Sequence, residues 1–284
     1  MPIALTSVHA RISEDTPRDL RGVRMLDERL TARFGVAARQ IDGRDGPFER
    51  THWRDDLEAS RDVLDAAAEA VRQALAANAT PITVATDCAL ALGTLPALAE
   101  GTGVLWLDAH ADFDSPATQT YDFLGCMSLA GACGIWDSGL GAIAADRVVH
   151  AGARSQPDDF DYAGQEHGRG ELRAMLPADA TVEAIVTALP PGRVYVHFDP
   201  DVLDPSENPI PYGRPGGLSS ARALEIAATV ATERDVVGLE VTAFHSSDDP
   251  AVRERVAGLI GGVVEALLSR RSPPACRASA ARAR

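Results

Sequence analysis

Val104-Leu105-Trp106-Leu107-Asp108-Ala109-His110-Ala111-Asp112 passes from four apolar residues straight into two carboxylates that flank one imidazole. A second stretch does the same: the run Arg193-Val194-Tyr195-Val196-His197-Phe198 closes on Asp199-Pro200-Asp201. In an extended chain, side chains two residues apart point the same way. Each cluster therefore aims its ligands at one point beyond the end of its strand. Hard oxygen donors with one or two imidazoles suit Mn²⁺, Mg²⁺, Fe²⁺ or Zn²⁺ better than copper. A single D-x-H is usually a loop of solvated aspartates. Two such clusters, each closing an apolar run, point instead to a metal centre.

Outward from these clusters, short apolar runs alternate with amphipathic segments. Strands are predicted at 3–8, 82–85, 104–108, 147–151, 193–198 and 236–241, and helices at 18–34, 55–77, 89–99, 127–133, 182–189, 221–232 and 251–269. The 55–77 stretch has the clearest helical spacing, with Leu57, Val63, Leu64, Val71 and Leu75 on a similar face. The alternation predicts an α/β fold with a mostly parallel central sheet and helices on both faces. In such sheets ligands bind beyond the carboxyl ends of the strands, where both aspartate clusters fall. Residues 1–270 are expected to form a single domain, and the Arg/Ala/Ser/Pro-rich residues 271–284 a disordered tail. Gly213-Arg214-Pro215-Gly216-Gly217 reads as a rigid loop before a helix.

A net charge of −14 argues against nucleic acid or an anionic membrane as the main partner. The basic residues are all arginine, which excludes lysine nucleophiles and Schiff-base chemistry. Cys88, Cys126, Cys133 and Cys276 form no C-x-x-C pair. No apolar stretch approaches the ~20 residues that span a bilayer, and the N-terminus lacks a signal-peptide pattern. A cytoplasmic protein is expected.

The stretch Asp108 to Asp112, then His197-Phe198-Asp199-Pro200-Asp201-Val202-Leu203-Asp204-Pro205, then Pro215-Gly216-Gly217-Leu218, then Val237-Gly238-Leu239-Glu240-Val241-Thr242, resembles the ureohydrolase (arginase/agmatinase) family in order and spacing. The resemblance covers roughly residues 80–270. It implies a three-layer α/β/α fold with a binuclear manganese site. Asp108 and Asp199 would bridge two ions, His110 and Asp201 would complete one, and Asp112 the other. It implies a small-molecule guanidino substrate cleaved to an amine plus urea, or hydroxyurea if the substrate is N-hydroxylated. Asp112 would orient the attacking water and Glu240 would pair with the guanidinium, with Asp114 and His245 as further substrate contacts. Family members are often oligomers, so a homo-oligomer is a further expectation.

Three departures from the family pattern matter. Where the first motif usually reads Gly-Gly-Asp-His, this chain has Ala85-Thr86-Asp87-Cys88. Two readings of Cys88 stand: a soft ligand that weakens one manganese position, or a small buried hydrophobe. The proton-shuttle histidine found thirteen residues after the D-x-H-x-D motif in many arginases is here Gly125. His245 is either its substitute or an ordinary loop histidine. The aspartate-rich stretch that reads an α-amino group is displaced to Ser155-Gln156-Pro157-Asp158-Asp159. His197, in phase with Asp199 and Asp201, is either a partner to a metal ligand or a buried polar residue. Cys88, Gly125 and the stretch 129–139 are similar to the branch of the family that hydrolyses Nω-hydroxyarginine in cycloserine biosynthesis, which implies specialised metabolism. Two rivals remain: a metal-dependent deacetylase on a similar scaffold, which would need an adjacent histidine pair that this chain lacks, and a catalytically weak paralogue with a binding role.

Overall fold

The computed structural model describes residues 2–269; the tail expected at 271–284 lies outside the described residues. Eight strands form one sheet in the order β2-β1-β3-β8-β7-β4-β5-β6, and every pairing is parallel. They are β1 (Ile3–His9), β2 (Arg39–Asp42), β3 (Thr80–Val84), β4 (Gly103–Leu107), β5 (Val148–Ala151), β6 (Ala174–Leu176), β7 (Arg193–Phe198) and β8 (Asp235–Val241). β3 and β4 are buried at every position. That explains why they read as continuous apolar runs rather than alternating ones: both faces of a parallel sheet are covered.

Helices supply the cover. On one face α1 (Pro17–Phe34), α6 (Val182–Ala188), α7 (Ser220–Glu233) and α8 (Pro250–Leu268) pack Leu26, Ile185, Ala227 and Ile260 against Leu105, Val196 and Leu239. On the other face α2 (Trp53–Ala76), α3 (Ala91–Thr94) and α4 (Ser128–Ala132) pack Leu64, Leu92 and Leu129 against Val8, Trp106 and Tyr195. The result is the expected three-layer α/β/α arrangement. Helix α1 shows why its ends were legible: Thr16 caps the N-terminus with its side chain, and Gly35 ends the helix at φ 67°.

Three elements escaped the sequence reading. β2 and β6 are short edge strands with little burial, and α5 (Tyr162–Glu171) has a weak apolar stripe. The helix expected over 89–99 is instead a 3₁₀ turn, the single turn α3 and a second 3₁₀ turn containing Pro96. Gly93 lets this segment press onto α2, since a Cβ there would sit 2.4 Å from the Leu64 carbonyl oxygen. Because all strands run the same way, the loops after β1, β3, β4, β5, β7 and β8 gather on one edge. Among the described residues, no helix is long and apolar enough to cross a membrane.

Candidate metal centre

β4 and β7 are adjacent strands, with Leu107 paired to Phe198, so their terminal aspartates emerge side by side. The backbone then bends each cluster around its own carboxylate. Asp108 Oδ1 accepts from His110 N at 2.7 Å, and Asp199 Oδ1 accepts from Asp201 N at 2.7 Å. Asp201 ties the two loops together: its Oδ1 accepts from Ala109 N at 2.9 Å and its Oδ2 lies 2.7 Å from His110 Nδ1. Asp112 sits in the left-handed region at φ 49°, an uncommon conformation for a residue with a side chain. It is held there by Leu129 and Ala130 N–H groups on its carbonyl and by the Ser128 hydroxyl on Oδ2 at 3.1 Å.

The structure brings Cys88, at the end of the loop after β3, into this group. Its thiol donates to Asp199 Oδ2 at 3.2 Å, lies 3.9 Å from Asp108 Oδ2 and touches Thr242 Oγ1 at 3.2 Å. Ligand atoms of Asp108, His110 and Asp201 converge closely enough to hold one ion, and those of Cys88 and Asp108 meet on the other side. His197 also approaches Cys88 and Asp108. Both its ring nitrogens are engaged elsewhere, however, with Glu240 Oε1 at 2.8 Å and Thr242 Oγ1 at 3.2 Å. It stands behind the ligands, stacked at 3.4 Å on Trp106, whose indole N–H donates to Asp108 Oδ2 at 3.1 Å.

Asp108, Asp112, Asp199 and Asp201 are each at most 5 % exposed. Burial first, and then repulsion from Asp201 and other nearby aspartates, push the carboxyls of Asp108, Asp112 and Asp199 well above the ordinary range. Burial also opposes ionisation of Asp201, but His110 beside it outweighs that and brings it down to about 2. Burial disfavours the His110 cation, and Asp201 overrides this and raises its pKa. Such a concentration of buried like charge is what a bound divalent cation relieves, and the donor set is oxygen-rich with one imidazole. The residues fit such an ion. The Cys88 thiol, pushed up by burial and by Asp199, is a poor contributor unless a cation displaces its proton.

A cavity of about 360 Å³ opens onto Cys88, Asp108, His110, Asp112, Asp199 and Asp201. Aromatic side chains of Tyr121, Phe123, Phe160 and Tyr212 form much of its wall. Three residues expected to meet a substrate do not line it. Glu240 pairs across the sheet with His197, is fully buried, and spends its oxygens on His197, the Thr94 hydroxyl (2.5 Å) and the Tyr195 hydroxyl (3.2 Å). It is the penultimate residue of β8 and is held under α3 by the Thr94 hydroxyl. Asp114 accepts from Thr118 Oγ1 at 2.9 Å and braces its own loop, with burial raising its carboxyl to about 6. His245 is buried behind the wall, with Nδ1 3.2 Å from Asp19 and Nε2 3.3 Å from Arg18. In this structure the expected substrate contacts Glu240, Asp114 and His245 are thus turned to protein partners and none lines the cavity.

Two other departures have physical counterparts. A Cβ at Gly125 would lie 2.6 Å from the Phe123 ring, so that ring takes the space a histidine there would need. Asp159 turns away to Arg214, and only Phe160 of that loop reaches the cavity. Sequence reasoning missed Trp106, Thr242 and Ser128, which hold the ligands, and Glu14 and Asp19, which line the cavity. Trp106 was findable, being two residues before Asp108 on the same face. Glu14 and Asp19 follow the carboxyl end of β1, where ligand residues are expected.

The arginase family model matches residues 6–265. The N(omega)-hydroxy-L-arginine amidinohydrolase of Streptomyces lavendulae is 30% identical over 263 residues, covering 91% of this chain and 94% of that protein. An agmatinase of Chromobacterium violaceum is 31% identical over 196 residues, 64% of this chain and 55% of that one. The solved arginase of Bacillus caldovelox superposes with a TM-score of 0.77 at 21% identity, covering 95% of this chain and 99% of that one.

Proposed function

The chain belongs to the arginase family, and from that premise we propose that it is a metal-dependent amidinohydrolase that cleaves a guanidino compound to an amine plus urea, or to hydroxyurea when the substrate is N-hydroxylated. It is a hydrolase acting on carbon–nitrogen bonds of linear amidines. The observation that carries the finer reading is the convergence of Asp108, Asp112, Asp199 and Asp201 with His110 at the floor of one cavity. These residues would hold two divalent cations, manganese by family resemblance, with Cys88 as a weak additional donor. Such cations would supply Lewis acidity and lower the pKa of a bound water.

The chain's own residues do the rest. Asp112, pinned by Ser128, offers a carboxylate oxygen that orients the attacking water by hydrogen bonding. Tyr212 and Phe160 flank His110, with ring centroids 6.2 and 5.9 Å away, and exclude water from a planar cation lying over the carboxylates. Glu240 acts as a positioning residue: through His197 and its contact with Thr242 it fixes what lies under Cys88 and Asp108. The water oxygen bonds to the guanidino carbon, one of its protons passes by way of Asp112 to the leaving nitrogen, and the amine departs as the carbon–nitrogen bond breaks, leaving urea or hydroxyurea. Hydroxylation changes the second product from urea to hydroxyurea and leaves the departing alkyl amine unchanged; Phe123 stands in the place of a shuttle histidine. A cytoplasmic enzyme of specialised metabolism is the setting this reading supports, from the likeness of residues 129–139 to the hydroxyarginine branch.

The test is a panel of arginine, N-hydroxyarginine, agmatine, 4-guanidinobutyrate and formiminoglutamate with excess Mn²⁺, scored for urea, hydroxyurea or formamide release. Turnover of at least one guanidino compound, abolished in folded His110→Ala, is expected. A folded, metal-loaded protein inert toward all five would favour a binding paralogue, the reading to which Cys88 and Gly125 lend weight.

A further inference from the structure

We infer that Glu14 and Asp19 form a subsite for an ammonium group carried by the substrate at the end remote from its guanidinium. The inference rests on the amidinohydrolase reading above. Glu14 lies on the loop after β1, and Asp19 in the first turn of α1, so neither belongs to the strands that furnish the metal ligands. Both line the cavity, at 5 % and 4 % exposure.

Glu14 anchors itself with one oxygen only. Its Oε2 accepts from Ile12 N at 3.0 Å, whereas Oε1 has no hydrogen-bond partner among the described residues. The nearest cation does not serve it. Arg11 gives its donors to the Asp56 carboxylate and to the carbonyls of Ser13, Glu14 and Glu49, and none to the Glu14 carboxyl. Asp19 Oδ1 has the His245 imidazole at 3.2 Å; burial raises the Asp19 carboxyl, and His245 and Arg18 partly offset that, so the oxygen left without a partner is Glu14 Oε1. A buried carboxylate oxygen without a donor is unfavourable, and Glu14 Oε1, with the Asp19 carboxyl on the same wall, favours a compact cation with several N–H groups. A substrate ammonium has that form. Burial and the neighbouring Asp87 and Asp19 push Glu14 up, as expected for acidic groups that lack a cation.

The geometry links this wall to the chemistry. The Tyr212 ring centroid is 6.2 Å from that of His110 and 5.6 Å from that of His245, which backs Asp19. A substrate chain lying along Tyr212 would therefore run from the metal centre to the Glu14 and Asp19 wall. The stretch 155–159, where the family resemblance placed ammonium recognition, is committed elsewhere, with Asp159 on Arg214 and on Gln156 N. Recognition of the ammonium has moved to the opposite side of the sheet, onto the loop after β1.

The experiment uses Glu14→Gln and Asp19→Asn in the manganese-supplied protein. In the first variant the amide oxygen keeps the Ile12 bond and an NH₂ donor replaces the unpartnered Oε1. Two matched substrate pairs differ only by the ammonium: agmatine against n-butylguanidine, and arginine against 5-guanidinopentanoate. The expected result is a KM raised roughly 10- to 100-fold for the ammonium-bearing member, with kcat little changed and the other member unaffected. In parallel, calorimetry with L-ornithine and 5-aminopentanoate, which are not hydrolysed, should show the same selective loss of affinity for ornithine. Equal effects on both members of a pair, or none on either, would overturn the subsite. Wild-type inactivity toward every guanidino compound would sink the hydrolase reading, and the calorimetric pair would still decide this one. Circular dichroism identifies a misfolded variant, in which case the other substitution decides.

Discussion

Replacing Asp199 with asparagine should move two stability readouts in opposite directions. Asp199 is buried among Cys88, Asp108 and Asp201, and burial together with Asp201 raises its pKa on folding. A carboxyl raised on folding stays protonated longer in the native chain than in the unfolded one. Its contribution to stability is therefore present below about pH 4, the unfolded carboxyl pKa, and is lost as pH rises through the folded pKa. A like charge about 4 Å away costs about 4 kcal/mol at an effective dielectric of ~20, and protonation relieves part of that. In chelator, Asp199→Asn should thus match the wild type near pH 4 and exceed it by about 1–3 kcal/mol at pH 8. The amide oxygen can still accept from Asp201 N, now at 2.7 Å, so the local turn survives. With Mn²⁺ at a hundred times its Kd, the wild type should gain about 2.7 kcal/mol, about 4–5 °C in Tm for a chain of this size. Asp199→Asn should lose most of that gain. Thermal unfolding at pH 4 and 8, with chelator and with Mn²⁺, reads all four states. A variant less stable than the wild type in chelator at pH 8, or one that keeps the full metal shift, would refute the argument that this cluster is organised around a cation.

Other predictions concern the layers behind the ligands. Glu240→Gln should leave KM for guanidino substrates within a few-fold, whereas Glu240→Ala, which strands the buried partners His197, Thr94 and Tyr195, should cost at least about 3 kcal/mol in denaturant unfolding; a large KM rise with Gln would place this carboxylate at the substrate after all. Gly125→His should not improve turnover and should lower stability by about 1–3 kcal/mol, because its Cβ would meet the Phe123 ring at 2.6 Å; a higher kcat for arginine would show that the ring yields. Burial lowers His150 to about 4, so in the metal-free protein its contribution to stability should fall away as pH drops from about 6.5 through 4, by about 3 kcal/mol. His150→Gln, which can still donate to the His110 carbonyl, should flatten that acid limb; an unchanged limb would mean that His150 does not titrate there.

Much of this protein was legible from short stretches. The apolar runs ending at Asp108 and Asp199 proved to be the adjacent central strands β4 and β7, which set these two aspartates side by side. His110, Asp112 and Asp201 lie beyond the strands and join the cluster through turns that a period of two does not describe. Strand parity could not say more than which face a side chain takes. Glu240 was expected at the substrate from the family resemblance, near the end of the strand predicted over 236–241; β8 does run to Val241, but α3 closes over the carboxylate with the Thr94 hydroxyl. The edge strands β2 and β6 were invisible because partial exposure leaves no continuous apolar signature.

Local sequence determined the donor chemistry and the strand ends, since both follow from residue type and from periodicities that act over a few residues. Tertiary structure alone decided which carboxylates face the cavity and which are spent on partners. Glu14 and Asp19 reach that cavity because β1 lies beside β3 in a sheet whose order differs from the chain order, and Phe123 fills the space beside Gly125 because a loop folds back on itself. Lateral strand order and loop return are set by packing between segments far apart in the chain, and no local pattern encodes them.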